Sequence, residues 1–483
     1  MSDPADLAKQ VADVTKSVGD LQTATNIVWT LLTGFLVMFM QLGFALLETG
    51  LTRAKNVTHT MGMNIFVYAI GILCFWLCGF AFQMGGVGAL ATFGNDPTLA
   101  HEFVIHIGGK EFGLFGLTGF MLSPAVYTPA IAVLFLFQMV FMDTAATIPT
   151  GAMAERWKFA SFCLFSVLIA SVIYPFYANW VWGGGWLSLL GKNYGLGHGH
   201  VDFAGSSVVH MTGGVMAFVG AKMIGARVGK YTKDGKVNAI PAHNIPMVVT
   251  GTLILAFGWF GFNPGSTLAG TDTRIALVAT NTMIASAAGA MTAGMYVWMR
   301  YGKPDVTMIC NGLLAGLVAI TGPCAFVSSG ASVVIGGVAG VLVVLAAVFV
   351  DQKLKIDDPV GAVAVHGVCG AWGIIGLGLF ANGTYGDGLN GVAGNVKGLL
   401  YGDSGQLVAS VIGVAVNVIW VGLTAFVGLK VVDMLVGNRV STESEIAGLD
   451  EGEMGLPGYS AEPGHPVPPE MAIPHAGEPS PAE

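Results

Sequence analysis

The chain has 483 residues, of which 54% are hydrophobic and only 10% charged, against about a quarter charged in a soluble domain. That balance excludes an ordinary water-soluble enzyme; the net charge of −8 says little by itself, and nothing in the sequence suggests a surface for nucleic acid. Apolar runs long enough to cross a hydrocarbon layer roughly 30 Å thick recur along most of the sequence, so the expectation is an all-α polytopic protein of the lipid bilayer.

In chain order, the first 25 residues are polar and acidic, with Asp3, Asp6, Asp13 and Asp20. They carry no signal-peptide pattern and read as a short amphipathic or disordered lead-in. Eleven apolar segments follow, at 26–48, 60–83, 124–149, 159–180, 203–223, 245–265, 274–298, 306–323, 332–351, 359–381 and 405–432. The Gly-rich region 84–123 reads as a loop that does not span. Beyond about residue 435 the chain is rich in Pro, Glu and Gly, has no apolar period, and reads as a mostly disordered tail. The expected organisation is a segment 1–25, a five-helix unit 26–223, a second five-helix unit 245–381, an eleventh span 405–432 and a tail 433–483. The 70 glycines are expected inside the helices, where small residues let backbones approach. The six cysteines are scattered without zinc spacing, and no metal or cofactor is expected.

Orientation follows from the basic residues. Most of the 21 Lys and Arg fall on one set of loops, which includes Arg53, Lys55, Arg156, Lys158, Lys222, Arg227, Arg300, Lys353 and Lys430. Lys9, Lys16, Lys110, Lys192, Arg274 and Lys397 fall on the other. The positive-inside rule puts the richer side in the cytoplasm, with the N-terminus outside and the C-terminus inside. An odd number of spans requires opposite ends.

Two stretches match each other. "DFAGSSVVHMTGG" (202–214) and "DPVGAVAVHGVCG" (358–370) both place Asp eight residues before His, Gly five before, and Gly four after. The first opens span 5 and the second opens span 10. A five-span unit is odd, so its second copy enters from the opposite face, which is an inverted-topology repeat. Eight helical residues rise about 12 Å, so His210 and His366 approach the midplane from opposite sides. A single membrane histidine can be satisfied by a neighbouring helix, but a pair at repeat-related positions points to a shared site. Neutral imidazoles both donate and accept, and two adjacent rings can pass a proton. Asp202 reads as the cap of span 5.

With these residues stands a longer run, "DFAGSSVVHMTGGVMAFVGAKMIGAR" (202–227), together with "GAMAERWKF" (151–159), "AHNIPMVVTGT" (242–252), "GWFGFNPGS" (258–266) and "AVHGVCGAWG" (364–373). The chain resembles the ammonium transporter (Amt/Mep/Rh) family, on the Amt side, over about residues 25 to 450. The resemblance implies eleven helices per subunit, a homotrimer, and a pore through each subunit for ammonium or ammonia. It implies that Phe141 of "FQMVF", which also holds Phe137, forms an outer gate with Phe262. Trp182 and Ser266 become the recruitment site, and His210 and His366 the twin pore histidines. An aromatic face attracts a small cation by roughly 0.5–2 kcal/mol, while an intact cation in an apolar pore costs several kcal/mol or more. The implied mechanism is recruitment of ammonium, its deprotonation, and passage of ammonia with a relayed proton. On the residues alone, Phe and Trp in spans are packing or interface anchors.

Asp143 departs from the family pattern. Two residues after Phe141, it points away from that face and is expected to bond a neighbouring helix or a subunit interface, with a proton or ion role as the alternative; Glu48 of "ALLETG" carries the same ambiguity nearer a span end. His198 and His200 of "GHGH" read as solvated loop residues. The tail stretch "RVSTESEIAGLDEGEMG" (439–455) resembles a family segment that contacts neighbouring pores and, in many prokaryotes, a PII-type signalling protein. An ammonium sensor of the same fold and a passive ammonia gas channel are the competing functions; a bis-histidine haem protein is the reading from another class.

Overall fold

The structure is a computed structural model and describes residues 4–459. Ten of its helices are long and apolar enough to cross a membrane: α1 (Pro4–Leu51), α2 (Ala54–Met84), α3 (Pro129–Met153), α4 (Phe159–Trp182), α5 (Ser206–Ile224), α6 (Ile245–Thr267), α7 (Ile275–Tyr301), α9 (Ser329–Gln352), α10 (Val363–Phe380) and α11 (Ser404–Val436). The apolar helix α8 (Val306–Thr321) is shorter. Together they stand where the eleven segments were expected. Several begin on side-chain caps. Thr128 Oγ1 accepts the Ile131 N–H, Asn244 Oδ1 the Met247 N–H, and Ser328 Oγ the Ala331 N–H, each satisfying a first-turn donor that has no helical partner.

Three expectations need correction. The lead-in is neither short nor disordered, because α1 runs unbroken for 48 residues from Pro4. Once a long apolar helix exists, each added residue gains a hydrogen bond without a new nucleus, and no proline interrupts the run after Pro4. The 84–123 region holds a hairpin, with β1 (Glu102–Ile107) antiparallel to β2 (Lys110–Gly116). Its two-residue turn is Gly108–Gly109, at φ 59° and 76°, the positive dihedrals that match a twisted hairpin. The tail, thirdly, is ordered up to Tyr459, with short helices α12 (Thr442–Ala447) and α13 (Leu449–Met454). It has no core of its own and folds by docking. Glu445 accepts the Val228 N–H (2.6 Å), Asp450 the His59 N–H (2.9 Å) and Glu453 the Phe159 N–H (2.8 Å). Two of these carboxylates meet donors in the opening turns of α2 and α4, where the helix dipole favours negative charge. The Pro-rich remainder of the expected tail lies outside the described residues.

Helices α5 and α10 cross at the centre. Each starts after a glycine in the left-handed region, Gly205 (φ 119°) and Gly361 (φ 80°), and each opens with a wide π-helical turn, Ser206–Met211 and Val363–Val368. A Cβ on Gly214 would stand 2.1 Å from Gly367 N, and one on Gly370 would stand 2.5 Å from Ser206 O. The two glycines follow their histidines by the same four residues. Each helix uses the same position to approach the other, the reciprocity that a two-fold relation imposes. Asp202 and Asp358 repeat one capping role: Asp202 accepts the N–H groups of Gly205, Ser206, Ser207 and Val208, and Asp358 those of Gly361 and Val363.

At the bundle face rich in basic residues, buried ions tie the connecting loops together. Arg227 holds Asp357 through two bonds (2.8 and 2.9 Å) and Glu155 through one (2.6 Å). Arg53 pairs with the same Glu155. Arg156 spends its donors on the carbonyls of Ala152, Ala154, Gly225 and Asp357.

Candidate functional site

At the hairpin face a vestibule of about 950 Å³ opens between Trp182, Asp202, Phe203, Ser266, Phe326 and Tyr385. It narrows to a pocket of about 160 Å³, lined by Phe137, Gln138, Phe141, Trp182, Phe203 and Ser266. The fold therefore brings Trp182 and Ser266 to one place. The Trp182 indole N–H donates to Asp202 O (2.7 Å), which fixes the ring. Ser266 Oγ donates its only proton to Phe262 O (2.7 Å), so the oxygen is left to accept from an N–H donor.

Below the pocket the way is shut by two rings. Phe141 and Phe262 stack with centroids 4.1 Å apart and planes 23° from parallel, and Phe137 lies 4.6 Å from Phe141. Both stacked rings are buried, at 1% and 0% exposure. The His210 ring lies directly beneath, 5.3 Å from Phe262 and stacked 5.0 Å from Trp259. Sequence reasoning did not single out Trp259. Its signal was available, since it precedes Phe262 by three residues and so shares its helix face. The Trp259 N–H is held by Thr321 Oγ1 (2.9 Å).

His210 and His366 meet through their Nδ1 atoms at 3.2 Å. Two neutral imidazoles can make that contact only if one Nδ1 carries hydrogen and the other does not. The Nε2 atoms are then of opposite kind, one bare and one protonated. Proton transfer across the Nδ1–Nδ1 contact exchanges the two tautomers when the bare Nε2 takes up a proton and the protonated Nε2 releases one. His210 Nε2 is buried and meets no partner among the described residues, so it is open to a ligand. Beyond His366 a cavity of about 20 Å³ is bounded by Phe44, Glu48, Leu314 and Val360. Glu48 thus lines the cavity that His366 also bounds.

The "GHGH" histidines are not solvated. His198 is 4% exposed and His200 is 0%. The chain turns inward here because both rings have partners: His198 Nε2 meets Gly394 O (2.8 Å) and His200 Nε2 meets Ser207 Oγ (2.9 Å). The Ser207 hydroxyl donates to Asp202 Oδ2 (2.7 Å), so His200 supports the Asp202 cap from behind. Burial pushes the His200 imidazole down to about 4, with the Asp202 charge opposing. Asp143 is buried and faces α2, where a Cβ on Gly71 would stand 3.8 Å from its Oδ1. That direction fits the helical turn, but the expected bond to a neighbouring helix is missing for Oδ1, which has no partner among the described residues. All six cysteines are free, and no group of metal-ligating side chains occurs among the described residues.

Comparison with known proteins agrees with this geometry. A family profile described as the Ammonium Transporter Family matches residues 28–459. The chain is 44% identical over 437 residues to "Ammonium transporter Amt2" of Archaeoglobus fulgidus, covering 90% of this chain and 88% of that one. It is 38% identical to "Ammonium transporter Amt1" of Haloferax mediterranei, over 90% and 79% of the two chains. Among solved structures it is similar to a "Sensor Amt Protein" (33% identity, TM-score 0.78, 90% and 99% covered) and to Mep2 of Candida albicans (26%, 0.73, 87% and 87%). On the profile and these relatives together, the chain is a multi-pass protein of the cell membrane and belongs to the ammonium transporter family.

Proposed function

We propose that the protein carries ammonium across the cell membrane by separating it into ammonia and a proton that travel apart. The observation that carries the reading is the Nδ1–Nδ1 contact of His210 and His366 (3.2 Å), directly behind the Phe141–Phe262 stack. The vestibule face is taken as outward. Ammonium settles against the Trp182 indole and donates to Ser266 Oγ. It cannot proceed as a cation, because the path beyond is a stack of apolar rings with no oxygen ligands. When Phe141 and Phe262 part, its proton passes to His210 directly beneath them, and it continues only as ammonia. The proton crosses between the two Nδ1 atoms as the rings exchange tautomers. Potassium has no proton to give, and is refused.

A trimer carrying one conduit per subunit completes the reading. A PII-type signalling protein would meet the tail at the open cavity of about 760 Å³ beside Lys55, Glu443, Ser444 and Glu451. The test is current in liposomes holding the purified protein. Ammonium jumps give a saturable current, potassium jumps give none, and His210→Ala with His366→Ala removes it. Silence of the folded protein on ammonium jumps, with binding retained, would instead favour a sensor, a reading to which the similarity to the "Sensor Amt Protein" lends weight.

A further inference from the structure

We infer that the membrane-distal end of α1 is one strand of a parallel coiled coil formed with the same segment of other copies of this chain. At 1.5 Å per residue, a helix of 48 residues is about 72 Å long, more than twice a hydrocarbon layer of roughly 30 Å. Its contacts mark where the protein body ends. Asn26 bonds Thr92 and Thr271, and Trp29 bonds Thr267. Above them, residues 4–22 are all exposed. Yet this projecting arm carries Leu7, Val11, Val14, Val18 and Leu21 in alternating steps of four and three, at 50–68% exposure. That is a 3.5-residue period, the seam of helices that wind around one another. A helix lying on a flat surface shows a broader stripe at 3.6.

The other faces agree. Asp6, Lys9, Asp13, Lys16 and Asp20 all lie off the seam. The flanking positions Ala8, Gln10, Thr15, Ser17 and Gln22 are uncharged, so identical chains meet without repulsion. The same steps continue below in Val28, Leu32, Phe35, Phe39 and Leu42, also exposed, so the seam in water runs into a lipid-level face of the same helix. Copies inserted alike in one membrane must pair in parallel. A strand number of three rests on the trimer reading above; the pairing does not.

Cysteine cross-linking in native membranes tests it. Val14→Cys and Leu21→Cys are expected to form intermolecular disulfides on mild oxidation, and Asp13→Cys and the parent chain several-fold fewer. Val11→Asp combined with Val18→Asp is expected to lower the temperature at which the assembly dissociates while leaving transport per chain unchanged, since neither side chain touches the body. Equal cross-linking on both faces, or none at the seam, overturns the coil. Native mass spectrometry separates the two readings: a trimer without seam cross-links removes the coil alone, whereas a monomer removes both.

A second, independent observation lies at the other end of the conduit and rests on the proposed conduction. The geometry points to Glu48 as the group that returns the proton to ammonia. It is 2% exposed, and its carboxylate is held by Asn64 Nδ2 (2.9 Å) and Thr150 Oγ1 (2.7 Å). With His366 it supplies the ionisable walls of the 20 Å³ cavity, whose volume suits one water- or ammonia-sized molecule. The Glu48 carboxylic acid gives its proton to ammonia there: an O–H bond breaks, an N–H bond forms, and ammonium leaves. The carboxylate regains a proton through the histidine pair, which received it from ammonium at His210 Nε2. Folded Glu48→Gln and Glu48→Leu are expected to lose at least ten-fold in ammonium current while ammonia flux, read by an enclosed pH dye, persists. Undiminished current in either overturns the assignment, as does equal loss of both fluxes, which marks a structural role. Should neither variant fold, dicyclohexylcarbodiimide on the parent protein decides: current falling in step with a mapped Glu48 adduct supports the role, and full current despite the adduct overturns it. A parent protein without current removes the conduction reading and this role with it.

Discussion

Asp202 receives four backbone N–H groups and the Ser207 hydroxyl, a donor set that only a carboxylate satisfies. Asp202→Asn turns an amide N–H₂ toward some of those donors. Leaving them buried and unmet is expected to cost about 2–4 kcal/mol, read as a fall in melting temperature in detergent. This cap was legible because the Asp-to-His spacing recurs at Asp358 and His366. His200, which supports it from behind, was not legible. A histidine between glycines carries no period, and its partners come from other elements. Glu102 of β1 is a different case. Burial pushes its carboxyl up to about 7, with an Asn179 hydrogen bond opposing. An acid whose folded pKa stands above its unfolded value costs stability as pH rises between the two. Stability therefore declines from about pH 4.3 to about 7 and is level above. Glu102→Gln is expected to remove that slope, about 1 kcal/mol once solvent screening is allowed for, in melting curves across pH.

Among the elements, the α5–α10 crossing sets the distance between the histidines. Gly214→Ala puts a methyl 2.1 Å from a backbone nitrogen of α10, an atom that cannot swing aside. The expected cost is about 1–3 kcal/mol, with the rings driven apart. Lower thermal stability and lower current should therefore appear together, and wild-type current would show that the crossing has slack. The helices themselves were readable from apolar length alone. The hairpin was missed because its strands are short and the Gly108–Gly109 turn was read only as loop composition. The wide turns that hold His210 and His366 leave no mark in an apolar run, since hydrophobic length does not distinguish a π-helical turn from an α-helical one.

For the whole molecule, the buried ion network decides whether the loops close. Arg227 spans Glu155 and Asp357, on two different connections. Arg227→Ala leaves both carboxylates buried with fewer counter-charges and is expected to cost about 3–5 kcal/mol, seen as poor expression or a sharply lower melting temperature. Burial alone would raise the Asp357 carboxyl, but Arg227 and Arg156 hold it well below the usual carboxylate range. A depressed acid contributes stability that is full above its unfolded pKa of about 3.9 and is lost as pH falls through the folded value. The variant should therefore show a flatter acid limb than the parent below about pH 4. The tail that docks beside this network could not be foreseen, because its acidic residues find their donors 217 positions away for Glu445, 294 for Glu453 and 391 for Asp450.

The Phe141–Phe262 stack, with centroids 4.1 Å apart, also bears on the kinetics of the whole machine. On the proposed conduction, nothing the width of an ammonium ion passes between two rings in contact, so each transfer waits for a side-chain displacement inside a packed interior. Throughput is then a tally of thermal openings. Its activation energy belongs to the contacts of two phenyl rings rather than to the hydration of the ion. Current noise should be that of a carrier taking single steps, with no long open bursts at any concentration.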